Sequence, residues 1–370
     1  MASPEVLDFA KLLAPIAGDS AVGVDLRADA SPNSVYYKVK DARSMASRAE
    51  RQMMMDGDEY KGAPPDWRPV LEHGLKALSE QSKDLEIAAF AIEALARQHG
   101  FVGMRDGFRL ARELIEQFWD GIYPRPDEEG VVTRVAPLTG LNGEDSEGAL
   151  INPITNIPIT EGNNYGPYSA ADHKLAVTLS SMMDEQVRQA RLAEGGVSLQ
   201  MFEQALAETP AEFFQRLVDD MKQCKDEFAK LCAVLDEKCG AQAPPSSNIR
   251  SALEASVEIV MSVAKDKLAV APDEEAAAVA AGGADAGTAG AVTAPGTIRT
   301  REEAFKLLLK VAEFFHRTEP HTPVSYAIEQ AVRWGRMPLP ALLSELIPEN
   351  TARDQFFRQV GIRPPEQSSG

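Results

Sequence analysis

The residues with the richest chemistry are few. Five histidines and three cysteines are spread over 370 residues. His316 and His321 flank Arg317-Thr318-Glu319-Pro320, and Glu313 or Glu319 could join them as ligands. A metal site needs converging ligands, usually more than two of them from the protein, so these side chains read instead as polar residues at a helix end. His73 and His99 fall on or at the ends of helices, and His173 falls near a helix start. Cys224, Cys232 and Cys239 lie on one helical stretch without close zinc-type spacing. Cys224 sits on an apolar seam, where a thiol packs as a small hydrophobe. No Gly-x-Ser-x-Gly elbow, phosphate loop or His-Glu-x-x-His pair occurs. The glycine pairs at 195–196 and 282–283 lack the context of a phosphate site. Acid pairs are abundant, but on solvated helices they carry little meaning alone. The expectation is a chain with no catalytic constellation, no cofactor and no metal.

The elements that would position such residues read as all-α. Residues 33–56 suit a charged helix. Asp66 stands as a candidate cap before Trp67. Val70, Leu71, Leu75 and Leu78 repeat at helical spacing, as do Leu85, Ala88, Ala89, Ile92 and Leu95, until Gly100 stops the run. Phe108, Ala111, Leu114, Ile115, Phe118 and Trp119 form a third stripe, and short connections imply helical hairpins. Residues 124–168 are punctuated by Pro, Gly, Asn and Asp. There Ile151 to Thr160 reads as loop or short edge strand. Phe214, Leu217, Met221, Cys224, Phe228, Leu231 and Leu235 step by three and four, a coiled-coil-like seam. It can pack within its own domain or against another copy; the first is favoured, because a lone short seam is marginal as a dimeriser. One more helix covers 248–269.

Composition bounds the rest. With 44% hydrophobic and 25% charged residues the chain is ordinary for a soluble protein, and its formal net charge is −18. Residues 298–370 hold ten Lys and Arg against nine Asp and Glu, so the acidity lies upstream. An acidic body has no footprint for nucleic acid or an anionic membrane. The start has no basic region followed by an apolar run, no stretch is apolar enough to span a bilayer, and three unpaired-looking cysteines suit a reducing, cytoplasmic setting.

Residues 271–297 are almost all Ala, Gly, Val and Thr with a few acids, and read as a flexible linker. About 27 such residues reach about 25–30 Å root mean square. Beyond them comes a module of about 70 residues, near the lower limit for a self-sufficient core. Thr300 with Glu303 fits a capping box, with Phe305, Leu308, Leu309, Ala312 and Phe315 as the buried face. Thr322 followed by Pro323 starts a second helix running to Gly335, and Leu339 to Ile347 gives a third. A small module rich in large apolar side chains often completes its core with copies of itself. Leu308, Phe315, Trp334, Leu342 and Leu343 are the candidate self-association residues. Trp334, flanked by Arg333 and Arg336, packs within its module or anchors an interface. The expected domains are 1–168, a helical middle region 169–270, the linker 271–297 and the assembly module 298–370.

Several blocks carry a family resemblance. They are Pro15-Ile16, Gly18-Asp19-Ser20, Gly23 and Asp25-Leu26-Arg27, then Trp67 and Val70, then Ser82-Lys83-Asp84-Leu85, Gly100 and Gly103. Phe118-Trp119-Asp120 with Tyr123-Pro124 and the acidic turn Asp127-Glu128 complete them. In these residues the chain resembles the ImpA-type N-terminal domain of TssA proteins from type VI secretion systems. It departs from the family pattern at Val22, where proline is frequent, and at Ala28, where an aromatic is frequent. The segment Glu319 to Val324 and the run Arg333 to Leu346 are similar to the family's tail. The resemblance covers roughly residues 1–165 and most of 299–347. It implies a non-enzymatic, cytoplasmic assembly factor acting at the baseplate, or at the end of the growing tail tube and contractile sheath. It also implies self-association through the C-terminal module, with baseplate, tube and sheath proteins as partners. The alternative is a monomeric or dimeric adaptor of the same machinery.

Overall fold

The computed structural model describes residues 2–128, 130–144, 146–269, 301–318 and 323–337, with Leu342 and Glu345. Among these residues it is all-α: fourteen helices, no strand, and four isolated β-bridges. The chain divides into two compact units, Met1–Ala281 and Gly282–Gly370. Residues 271–297 lie outside the described residues.

In the first unit the helices are α1 Phe9–Leu12, α2 Val35–Asp56, α3 Arg68–Glu80, α4 Leu85–Phe118, α5 Val131–Asn142, α6 Ile151–Asn156 and α7 Ala170–Ser180. They continue with α8 Glu185–Ala193, α9 Leu199–Glu208, α10 Ala211–Cys239, α11 Ser247–Val263 and α12 Lys265–Ala269. The central element is α4. Asp84 caps it, accepting from the Glu86 and Ile87 amides, as short acidic caps do. Gly100 breaks its helical geometry with a φ of 56°. The periodicity correctly stops there, but no loop follows: the next helical segment starts at once. A Cβ at Gly100 would come within 3.1 Å of Ile157, so the bend lets the 150s segment approach closely.

The seam on α10 packs inside the unit. Phe214, Leu217, Met221, Cys224, Phe228, Leu231 and Leu235 are all buried. Its helix lies along α4, where the Phe228 and Phe108 rings meet with centroids 4.9 Å apart. One continuous core therefore runs from Leu7 to Ala264. The chain's first residues join it through α10 and α4. Ser3 donates its amide and hydroxyl to Asp220 at 2.7 Å each. The Val6 amide donates to Asp106 at 2.6 Å, and the Arg105 guanidinium donates to the Ser3 carbonyl at 2.8 Å.

Two expectations fail in the 124–168 region. Residues 131–142 form α5 despite Gly130 and Pro137, because Val135, Leu138 and Leu141 bury against the core. Ile151–Asn156 forms the short helix α6 rather than a loop or edge strand; only Pro158 makes a bridge, to Ser169.

The second unit holds α13 Arg301–Thr318 and α14 Val324–Arg336, which pack on each other. Pro323 takes the position before α14 rather than its first helical position. The proposed cap residues Thr300 and Thr322, and the third tail helix apart from Leu342 and Glu345, fall outside the described residues.

Candidate functional site

The four residues Ser82, Lys83, Asp84 and Leu85 link α3 to α4, and each has no exposed surface. Two loops are stitched to them through the backbone. The Lys83 amide donates to the Val22 carbonyl at 2.8 Å, and the Val24 amide donates to the Gln81 carbonyl at 3.1 Å. On the other side the Tyr123 amide donates to the Lys83 carbonyl at 2.9 Å and the Leu85 amide to the Tyr123 carbonyl at 2.8 Å. Gly23 is required where the first loop crosses. Its φ is +73°, and a Cβ would lie 1.9 Å from the Gln81 carbonyl oxygen. The motifs that stand apart in sequence thus converge on one buried junction.

Lys83 closes that junction without a carboxylate. Its ammonium donates to the Leu12 carbonyl at 2.7 Å and the Leu78 carbonyl at 2.9 Å, tying the ends of α1 and α3 together. The Phe118 ring lies 5.5 Å from the nitrogen. Burial disfavours the charged form and pushes this amine down from its ordinary 10.5 to about 8. With no exposed surface, the lysine offers nothing to a substrate.

Asp84 faces the other way. Besides capping α4 it pairs with Arg27, whose two terminal nitrogens reach it at 2.7 and 3.2 Å. Arg27 also bonds Glu86, and the Tyr36 hydroxyl donates to Glu86 at 3.2 Å. Burial works against the Arg27 charge, but the bonds and charges of Asp84 and Glu86 outweigh it and hold the guanidinium above its usual range. Sequence reading picked out Arg27 without its partners, because these pairs join residues more than fifty positions apart.

Trp119, Tyr123 and Pro124 are half-buried and Asp120 is exposed. Arg134 on α5 lies 4.8 Å over the Trp119 ring and donates to the Trp119 carbonyl at 2.7 Å. A second set, missed in sequence, clamps α2 to α4. Arg43 pairs with Glu93 at 2.7 Å, and Arg97 pairs with Glu50 at 2.8 Å. Burial raises Glu93, with Arg43 opposing the shift. The signal was available as charges seven apart on α2 facing opposite charges four apart on α4.

The tail residues behave differently. Of the face expected to be buried, Leu308 is 40% exposed and Leu309 36% exposed. A hairpin covers only a narrow stripe: Ala312 and Val332 are buried, while Phe305 and Phe315 are half-buried. Leu307, Val311, Phe314 and Tyr326 are also exposed. Trp334 is half-buried and donates to Glu345 at 3.1 Å, and Gln330 donates to the same carboxylate at 3.0 Å. Leu342 is half-buried; Leu343 lies outside the described residues. His316 meets Tyr326 edge-on at 5.9 Å, and His321 and Glu319 lie outside the described residues. Among the described residues no group of three or more His, Cys, Asp or Glu is placed to hold a metal, and no helix is long and apolar enough to cross a membrane. Burial pushes the Cys224 thiol up, and no cysteine is disulfide-bonded.

In this geometry the named motifs hold loops together at one buried junction. Residues 13–143 match the family described as ImpA, N-terminal, type VI secretion system. The chain is 28% identical to the type VI secretion system component TssA1 of Pseudomonas aeruginosa over 366 residues, which covers 95% of this chain and 98% of that protein. The fold is similar to a solved N-terminal domain, including the ImpA_N region, of the TssA component from Burkholderia cenocepacia. That match has a TM-score of 0.59 and 24% identity, covering 70% of this chain and 95% of the other. Residues 13–143 thus carry the ImpA N-terminal region, and along nearly its whole length the chain is similar to TssA1, a type VI secretion system component.

Proposed function

We propose that this protein is a non-enzymatic assembly factor of the type VI secretion system. In this reading it works on the cytoplasmic side, at the baseplate or at the end of the growing tail tube and sheath, and associates with itself through residues 298–370. The observation that carries the reading is the alignment along nearly the whole length of both chains. The exposed leucines and phenylalanines of α13 support the self-association, since a hairpin with Leu307, Leu308, Val311 and Phe314 open to water leaves apolar surface that a second copy would cover. The domain arrangement proposed with it is a body ending near residue 270, a linker over 271–297 and the assembly module.

Mass measurement by light scattering tests it, on the full chain beside a chain ending at residue 270. A large oligomer that becomes a monomer on truncation is expected. A full chain that stays monomeric or dimeric, yet co-purifies with baseplate or sheath proteins, would replace this reading with the adaptor.

A further inference from the structure

A groove of about 610 Å³ lies in the first unit, between the start of α3, the bend of α4 and the α6 segment. Its walls include Pro65, Pro153, Ile157 and Pro158, which have small or apolar side chains. Two further residues of the same wall, Trp67 and Gln98, each carry a buried N–H donor with no hydrogen-bond partner. Trp67 is only 4% exposed. A buried donor left unmade is costly, and such groups in native proteins call for an explanation. The rim carboxylates are already engaged. Both Glu50 oxygens accept from Arg97, and both Asp66 oxygens accept from Arg68. Both carboxylates are thus turned to their own arginines, and the two unpaired buried atoms of the wall are both donors.

We propose that this groove seats an extended, proline-rich segment of a partner protein. Proline has no N–H, so a polyproline II backbone presents carbonyl acceptors with few donors to satisfy. That matches a wall whose orphans are an indole N–H and an amide N–H. Prolyl rings suit apolar walls, and aromatic-lined grooves take proline-rich segments because little ordering entropy is lost on binding. Arg97 lies over the Trp67 ring, 3.8 Å from its centroid, and Glu50 tethers it there.

The test adds fluorescein-labelled decaproline to the full chain and follows anisotropy, with a glycine–serine decapeptide as control. In parallel, the indole N–H signals are recorded with ¹⁵N-labelled tryptophan. Decaproline is expected to bind and to shift the signal that disappears in Trp67→Phe. Trp67→Phe leaves a smaller aromatic ring under Arg97 but removes the donor; Gln98→Met keeps the length and removes the other. Each is expected to weaken binding roughly 5–10-fold. The proposal fails if decaproline does not bind by about 1 mM, if the glycine–serine peptide binds equally well, or if both variants bind as the parent does. It also fails if Trp119 or Trp334 responds in place of Trp67. Should Trp67→Phe not fold, the Gln98→Met affinity and the parent's indole shift decide the outcome. None of these results depends on the oligomeric state.

Discussion

The α3–α4 junction and the α13–α14 hairpin reverse the usual placement of polar and apolar side chains. At the junction a lysine, an aspartate and a serine are buried without exposed surface, while along the hairpin leucine and phenylalanine stand in water. The first arrangement is costly unless the polar groups are bonded, and Lys83 and Asp84 are bonded to several elements each. The second leaves apolar surface in water, a cost that covering it would remove. The proposed self-association would supply that cover.

Substitutions can break that contrast, beginning with the largest expected effect. Phe108→Ala removes a ring buried between α4 and α10 and should cost about 3–5 kcal/mol, read as a lowered urea midpoint with the helical signal as probe. Asp84→Ala removes the cap of α4 and the buried partner of Arg27, leaving it Glu86 and Asp25. A loss of about 2–4 kcal/mol is expected by the same measurement; a loss under about 0.5 kcal/mol would mean water replaces the carboxylate.

Lys83→Met leaves the Leu12 and Leu78 carbonyls without their donor and should cost about 1–3 kcal/mol at neutral pH. It also carries a pH signature. Below about pH 8 the amine is charged in both folded and unfolded chains, and its burial penalty is fully present. Between about 8 and 10.5 the folded state gives up the proton first, so the unfolded state binds more protons and stability rises with pH. The parent should therefore gain on Lys83→Met across that window and level off above it. A gap that is flat in pH would show that Lys83 is solvated.

The smallest effect on folding belongs to the hairpin. Leu308→Asp places a charge at an exposed position and should change stability by less than about 0.5 kcal/mol. Its expected effect is on mass: light scattering should show a smaller assembly while the thermal midpoint stays put. Unfolding of the hairpin by this change would return Leu308 to a core role.

Regular spacing made much of the body legible. The α10 seam could be read because seven apolar residues step by three and four and all of them are buried. Gly100 could be read because only a break in geometry explains a glycine at the end of an apolar run. The α5 helix could not, because proline and glycine signals were outweighed by three aliphatic side chains meeting a distant core. Lys83 was quoted as a motif residue, but its burial was invisible: lysine reads as surface unless the carbonyls that hold it are known. The Leu308 face misled in the opposite direction. Periodicity says which face of a helix is apolar, and only the number of neighbouring helices says whether that face is covered.

The bonds from Ser3 and Val6 to Asp220 and Asp106 have a consequence for the order of folding. The amide of Ser3 has its partner 217 residues later, so the opening segment, though it also bonds α4 through Val6 and Ser3, is not fully held until α10 has left the ribosome. Until then the α4 surface around Phe108 has no cover. A chain stopped at residue 143, the end of the matched region, would stay in that unfinished state and aggregate. One stopped after α12 would close.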